Sequence, residues 1–455
     1  MKTTASTPAT TRVARFAIAT LGCKVNQYDS AIIESRLGAR GMERCEFDEV
    51  ADIYIVNTCT VTDRADTESL KLARRARRLN PDARVVMTGC LAQANPAVLA
   101  GSPAIDAVVG LGRPEDLERA VLGEAADRVM VANLRKERAP IELGAVALEG
   151  RTRAFLKLQE GCDQFCSFCI VPTSRGTSRS VEPRRIFDAI DRLAASGFRE
   201  VILTGVHLGG YGRDLDPPVS LEALLEMVAE RSPIGRVRIS SLDPEELSDR
   251  ILEIMAASDK FCPHLHLPLQ AGTDATLVRM RRRYDVAHFR NRIERVLELM
   301  PSAAVGTDLI AGFPGETAAD FDNYFKFIEA LPLAYFHVFP YSVRAGTTAA
   351  KLQGRVAPGD IKRRAEILRA LGEDKRRRFI ERFDGSKLKV LLEERGADGR
   401  LRGYSRNYIR VLVEGREALG NDEVEVVASH IEGVALVGQV ARPQTGPGAC
   451  AATAR

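Results

Sequence analysis

At 455 residues with a formal net charge of +4, the chain is too long for one ordinary domain and is expected to hold about two to four. A composition of 45% hydrophobic and 28% charged residues excludes a disordered or fibrous protein. No apolar run approaches the roughly 20 residues of a membrane-spanning helix, and the opening MKTTASTPATTRVARF lacks the apolar stretch of a secretory signal, so no membrane association and a cytoplasmic location are expected.

Residues 13–130 alternate short apolar runs with helical patterns. RFAIATLG, DIYIVNT, RVVMTG and AIDAVVG read as strands, with TDRADTESLKLARRARRLN as the clearest helix between them. Parallel strands need crossover helices, so this region is predicted to be a parallel α/β sheet. A polar linker covers 131–152. From 153 to 383 the alternation resumes with AFLKLQ, REVILTGV, RVRISS, HLHLPL, VGTDLIAG and YFHVFPY as strands, followed by the charged helix DIKRRAEILRALGEDKRRRFIERFDG. Six strand and helix units predict a partial or complete β/α barrel, with its ligand site at the C-terminal strand ends. Residues 384–446 change to four or five short strands without helices, a small β-barrel. The Pro/Gly/Ala-rich tail, 447–455, is expected to be flexible and makes Cys450 incidental.

Two basic runs stand out: Lys71, Arg74, Arg75, Arg77, Arg78 and Arg84, and then Arg279, Arg281, Arg282 and Arg283. Either supplies phosphate-backbone affinity or a plain solvated helix face.

Nine widely spread cysteines, an odd count, argue against a disulfide framework. Cys162, Cys166 and Cys169 in GCDQFCSFCIVP have C-x3-C-x2-C spacing, which sets three thiolates around one iron-sulfur cluster and leaves one iron open. Structural zinc wants four ligands, and no adjacent histidine or fourth cysteine completes a set. Phe165 and Phe168 interleave with the ligands and are expected to exclude solvent. Cys23, Cys59 and Cys90 each follow an apolar strand, 36 and 31 residues apart, about one strand, helix and return. Parallel strands end on one edge, so these three thiols are expected to converge and to hold a second cluster. Cys45 and Cys262 break the pattern and are read as non-ligands.

The central triad resembles that of the radical S-adenosylmethionine superfamily. That resemblance implies that the amino and carboxylate groups of S-adenosylmethionine chelate the open iron, and that reductive cleavage gives a 5′-deoxyadenosyl radical. LGCKVNQ, NTCTVT and TGC, taken with GCDQFCSFCIVPTSRG, resemble the methylthiotransferases over residues 15 to 440. The resemblance implies two [4Fe-4S] clusters, S-adenosylmethionine, an electron donor and a sulfur source. It also implies a methylthio group placed on carbon 2 of a modified adenosine in transfer RNA, in a single-stranded loop where bases are accessible. Similarity to the family's strand-end motifs makes Gly205, His207, Ser240, Gln270, Asp308 and Phe313 candidates for the S-adenosylmethionine pocket.

The terminal module resembles the family's RNA-binding TRAM β-barrel, with Arg402, Arg406, Asn407, Tyr408 and Arg410 as candidates for RNA contact; a domain-packing surface would use the same residues. Lys24, Val25, Asn26 and Gln27 resemble the subgroup acting on N6-threonylcarbamoyladenosine at position 37 of the anticodon loop, rather than the subgroups acting on N6-isopentenyladenosine or a ribosomal-protein aspartate. A threonylcarbamoyl carboxylate wants a basic partner, for which Arg153, Arg175 and Arg179 are candidates. A non-catalytic RNA-binding module with structural clusters, or a radical methyltransferase without sulfur insertion, are the alternatives.

Overall fold

The computed structural model describes residues 13–136, 141–143, 152–415 and 421–441; most of the 131–152 linker, the 447–455 tail and Cys450 lie outside the described residues. The first unit runs β1 (Arg15–Thr20), α1 (Lys24–Ala39), β2 (Glu43–Cys45), β3 (Ile53–Thr58), α2 (Asp63–Leu79), β4 (Arg84–Gly89), α3 (Cys90–Ala94), α4 (Pro96–Ala100), β5 (Ala107–Val109), α5 (Pro114–Leu122) and β6 (Val129–Met130). All neighbouring strands are parallel, in the order β2-β1-β3-β4-β5-β6. Every residue of β3 is buried, because helices cover both faces. Leu37 of α1 and Leu117 of α5 pack on Ile55 and Val86, while Ala73 and Ala76 of α2 pack on Tyr54 and Met87. Cys45 sits in the short edge strand β2, which its polar flanks hid from the sequence pattern.

The second unit comprises β7 (Arg153–Glu160), α6 (Val171–Ser174), β8 (Arg179–Ser180), α7 (Pro183–Ala195), β9 (Glu200–Gly205), α8 (Leu221–Arg231), β10 (Arg236–Ile239), α9 (Asp249–Ala257), β11 (His264–His266), α10 (Asp274–Arg279), α11 (Val286–Leu299), β12 (Ala304–Ala311), α12 (Ala318–Ala330), β13 (Tyr335–Pro340) and α13 (Pro358–Glu381). Strands β7, β9 and β10 pair in parallel, as do β11, β12 and β13. Val237 N donates to Lys260 O (2.8 Å) and Leu242 N to His266 O (3.1 Å), joining the two groups into one arc. This is a partial barrel, with β8 antiparallel on the outer edge of β7.

Pleating sends Ala154, Leu156, Leu158, Val201, Leu203, Val237 and Ile239 into the core beneath the helices. The alternate positions, among them Arg153, Lys157, Glu200, Arg238, His266, Asp308 and His337, line a polar lumen. Near its base Glu200 accepts from Arg236 Nε (2.9 Å) and Arg238 Nε (3.0 Å), all three being buried.

The open side of the arc is spanned by the first unit. At one edge Asp29 accepts from Lys157 Nζ (2.7 Å) and Arg175 Nη2 (2.9 Å). At the other, Arg344 beyond β13 holds Asp66 (2.6 Å) and Asp63. Tyr28 and Ala31 of α1 pack on Phe155.

The third unit is a closed barrel of β14 (Lys387–Arg395), β15 (Leu401–Ser405), β16 (Arg410–Glu414), β17 (Glu423–Glu432) and β18 (Ala435–Val440), ordered β14-β15-β16-β18-β17. It seals the base of the lumen. The Tyr408 ring lies 4.7 Å from the Arg238 guanidinium and 4.8 Å from the His264 ring, Arg406 Nη2 donates to Gly235 O (3.2 Å), and Asn407 Nδ2 donates to Ser302 O (3.1 Å). Three of the five residues considered for RNA contact are therefore engaged in domain packing, leaving Arg402 and Arg410 half-exposed on their strands. No helix among the described residues is long and apolar enough to cross a membrane.

Burial raises the Glu200 carboxyl, but Arg238 and Arg236 outweigh it and lower its pKa from the usual 4.5 to about 2. A carboxylate lowered in the folded state stabilises the protein above its unfolded value and loses that contribution as pH falls toward its folded value. Glu200→Gln is therefore expected to cost roughly 3–5 kcal/mol near neutrality by leaving two buried arginines short of a partner. In denaturant titrations across pH, the gap from the parent should close as pH falls from 4.5 toward 2.

Candidate cluster and substrate site

Strands β1, β3 and β4 are neighbours, so the turns that follow them share one edge of the sheet at the place where strand order reverses. Cys23 precedes α1, Cys59 follows β3, and Cys90 opens α3. Two glycines permit the approach. Gly22 has φ +100°, and a Cβ there would lie 2.9 Å from Cys59 Sγ; Gly89 has φ +92°, and a Cβ would meet Thr58 O at 2.5 Å.

Asn26 ties these turns together. Its Nδ2 donates to Leu21 O (2.7 Å) and Thr58 O (2.9 Å), and its Oδ1 accepts from the Cys90 thiol (3.8 Å) and from Arg175. Thr58 Oγ1 accepts from Leu91 N (3.1 Å) and Ala92 N (3.2 Å), setting the first turn of α3. Burial pushes the Cys59 thiol up to about 11, with Cys90 and Cys23 adding to the effect, and raises Cys90 against the pull of Arg175. Cys23 is exposed, so this pocket opens on that side.

The second triad lies on the loop between β7 and α6. Cys162 N donates to Gly176 O (3.0 Å), Cys169 N to Cys166 O (3.0 Å), and Ser167 Oγ to Arg279 O (2.8 Å), pinning the loop from both ends. Burial pushes Cys162 and Cys169 up to about 12, so both need a metal to become thiolates at neutral pH. Arg282 Nη1 donates to Cys166 Sγ (3.2 Å) while its other arm holds Asp243.

The donor sets fit clusters better than a single ion. Among the described residues, the group of three metal-ligating side chains whose atoms all lie within 4.8 Å is His207, Asp243 and Glu246, and neither cysteine triad meets that limit. Tetrahedral zinc would need sulfurs about 3.8 Å apart. Phe168 meets Phe313 edge to face at 6.5 Å, whereas Phe165 is 43% exposed with Arg135 over its ring at 5.2 Å, so only Phe168 shields the loop.

Of the pocket candidates, Gly205 ends β9 and His207 follows it, beside this loop. His207 Nε2 lies 2.8 Å from Glu246 Oε1 and 3.1 Å from Gln164 Nε2. Ser240 Oγ and Glu246 Oε2 are buried without a hydrogen-bond partner, which fits a ligand rich in amino and hydroxyl groups such as S-adenosylmethionine. Phe313 is fully buried between Phe168 and Tyr341. Asp308 faces the lumen 3.0 Å from His266 Nε2. Gln270, with φ +74°, links backbones instead: its N donates to Asp308 O and its O accepts from Ile310 N, both at 2.8 Å. Gln164, Asp243 and Glu246 are additions from the structure, with only their place beyond β7 and β10 as a signal in the sequence, and Arg282 stood out there only as one of a basic run.

The basic candidates separate as well. Arg153 is bound to Glu393 (3.2 Å) and stacks on Tyr404 (4.6 Å), and Arg175 is buried in ion pairs. Arg179 lies in β8. Arg74, Arg75 and Arg78 are exposed on α2, while the second basic run is divided, with Arg281 and Arg283 exposed and Arg282 turned to Cys166. Lys24 is half-buried at the start of α1, near enough to Tyr408, Arg238, Arg153 and Glu200 to sense their charge. It makes no hydrogen bond or ion pair among the described residues. Burial, with Arg238 and Arg153 adding to it, lowers its pKa.

Residues 15–110 match the family model described as Uncharacterized protein family UPF0004, and residues 156–328 match the Radical SAM superfamily. The chain is 37% identical to the threonylcarbamoyladenosine tRNA methylthiotransferase MtaB of Bacillus subtilis (strain 168), over 91% of this chain and 93% of the relative. It is 32% identical to the tRNA-2-methylthio-N(6)-dimethylallyladenosine synthase of Clostridium botulinum (strain Okra / Type B1), over 87% and 90% respectively. Among solved structures, the radical S-adenosylmethionine methyltransferase TsrM from Kitasatospora setae, with cobalamin and a [4Fe-4S] cluster bound, aligns with a TM-score of 0.52 at 16% identity, over 72% of this chain and 75% of that one, a likeness of fold alone. The superfamily match implies a [4Fe-4S] cluster and S-adenosylmethionine. With relatives of this identity across nine-tenths of its length, and a three-cysteine loop set at the mouth of a partial β/α barrel, the chain belongs to the radical S-adenosylmethionine tRNA methylthiotransferase family.

Proposed function

We propose that this enzyme places a methylthio group on carbon 2 of N6-threonylcarbamoyladenosine at position 37 of transfer RNA, using an auxiliary [4Fe-4S] cluster on Cys23, Cys59 and Cys90 beside the radical cluster on Cys162, Cys166 and Cys169. The observation that carries the reading is the closure of the barrel's open side by the domain bearing the first triad, through the Asp29 and Arg344 contacts. Radical formation and sulfur delivery must meet at one base held between them, which rigid domain packing favours. Bound clusters and S-adenosylmethionine supply the radical and methylthio chemistry, given an electron donor and a source of sulfur. The protein's part is to hold the base, exclude water and orient the cofactor, with Gly205, His207, Ser240 and Phe313 at the cofactor end.

The lumen supports the threonylcarbamoyl substrate over a dimethylallyl one. An apolar isopentenyl chain wants an apolar slot, yet Lys24, His266, Asp308 and His337 line this space. Among the described residues the Lys24 side chain makes no hydrogen bond or ion pair, and a carboxylate on the substrate base would favour its charged form.

Three outcomes are expected. Anaerobically reconstituted enzyme given S-adenosylmethionine, reductant and both RNAs in competition should convert the threonylcarbamoyl RNA, read by nucleoside mass spectrometry; conversion of the dimethylallyl RNA alone would overturn the substrate assignment. Lys24→Met should raise KM for the threonylcarbamoyl RNA roughly 10- to 100-fold, the worth of a charge-assisted hydrogen bond, with reductive S-adenosylmethionine cleavage retained. Asn26→Ala, which unties the three turns, should weaken iron retention by the auxiliary triad roughly 10- to 100-fold, read as iron content in a chain whose Cys162, Cys166 and Cys169 are alanine.

A further inference from the structure

We propose that Arg175 is a positioning residue that sets the reduction potential of the auxiliary cluster by donating an N–H···S hydrogen bond to Cys90; this rests on the assignment of Cys23, Cys59 and Cys90 as cluster ligands. Arg175 is 3% exposed, and all three of its guanidinium nitrogens donate. Nε donates to Cys90 Sγ (3.3 Å), Nη1 to Glu160 Oε1 (2.7 Å), and Nη2 to Asp29 Oδ2 (2.9 Å) and to Asn26 Oδ1. One planar group thus serves acceptors from two domains, which an ammonium has too few fixed donors to match.

Charge balance makes the hydrogen bond specific. Lys157 Nζ pairs with the same two carboxylates, Asp29 (2.7 Å) and Glu160 (2.7 Å), so two cations face two anions and the group as a whole is neutral. What the network presents to Cys90 is a fixed N–H dipole rather than a loose charge. A donor on a ligating sulfur draws electron density from it, and hydrogen bonds to sulfur together with local charge set cluster potentials. Reduction adds one electron to the cluster, with no proton taken up and no bond broken. The added negative charge strengthens the N–H···S contact, so the contact raises the potential.

The arrangement recurs at the second triad. Arg282 Nη1 donates to Cys166 Sγ (3.2 Å) and is anchored on Asp243, which among the described residues has no lysine beside it and His207 Nε2 at 4.0 Å. Each triad thus has one arginine on one ligand, held from behind by carboxylate, and only the auxiliary side is neutralised by lysine.

The test uses full-length protein in which Cys162, Cys166 and Cys169 are alanine, reconstituted anaerobically and titrated with dithionite while the one-electron-reduced cluster is followed by electron paramagnetic resonance. Arg175→Gln should move the midpoint to more negative potential, with Arg175→Lys between it and the parent. Glu160→Gln, which leaves Arg175 in place and removes one balancing anion, should move it to more positive potential. A negative shift in Arg175→Lys, which keeps the charge and loses the Nε–H donor, supports the assignment; opposite signs for Arg175→Gln and Glu160→Gln with an unshifted Arg175→Lys would assign the effect to net charge and overturn it. Unchanged midpoints, or shifts of one sign, at parental iron content would overturn it. Should Arg175→Gln lose its iron, Arg175→Lys and Glu160→Gln carry the same comparison. Failure of the parent itself to hold a cluster would instead refute the ligand assignment on which the proposal rests.

Discussion

The structure depends on a buried exchange of charge across the open side of the partial barrel. Asp29 on α1 meets Lys157 from inside β7 and Arg175 from the loop after α6, and Glu160 completes the set. Isolated buried charges are costly, and removal of one partner leaves the others uncompensated. The network is therefore stable only when the first domain is seated on the barrel. Seating brings Cys90 beside Arg175 and packs Tyr28 against Phe155. Fold and site share these contacts, and the same side chains that close the barrel aim the first cysteine triad.

A second set of ion pairs works at the opposite end. Glu200 joins Arg236 and Arg238, and Arg236 continues to Glu423 of the terminal barrel. Tyr408 covers Arg238 and His264, so a residue type often found on RNA surfaces is used here for its flat, amphipathic ring. The barrel's lower half is rigid for electrostatic reasons, while its upper rim carries the glycine turns and cysteine loops.

Much of this was legible in the sequence. The six alternating runs from AFLKLQ to YFHVFPY correspond to β7, β9, β10, β11, β12 and β13, and the five short terminal strands stand where the pattern loses its helices. Cysteines placed just beyond strands could be assigned to one sheet edge because parallel strands end together. Partner choice was not legible. Nothing local distinguishes Arg175, buried against Cys90, from Arg179 four residues on, or shows that Asn26 spans three turns, since those contacts join residues far apart in sequence. Arg406, Asn407 and Tyr408 were left open between two uses for a related reason: charge, amide and ring suit a nucleic acid and a domain contact equally, and the domain contacts they make join residues far apart in sequence.

The plug formed by β14 to β18 has a kinetic meaning. The terminal barrel covers the base of the lumen and the first unit its open side, which leaves the rim bearing the cysteine loops as the approach for cofactor and base. A base seated over the cofactor stands between it and solvent. With S-adenosylmethionine beneath the base, as proposed above, cofactor exchange would wait on withdrawal of the RNA, and turnover would be paced by release as well as by chemistry.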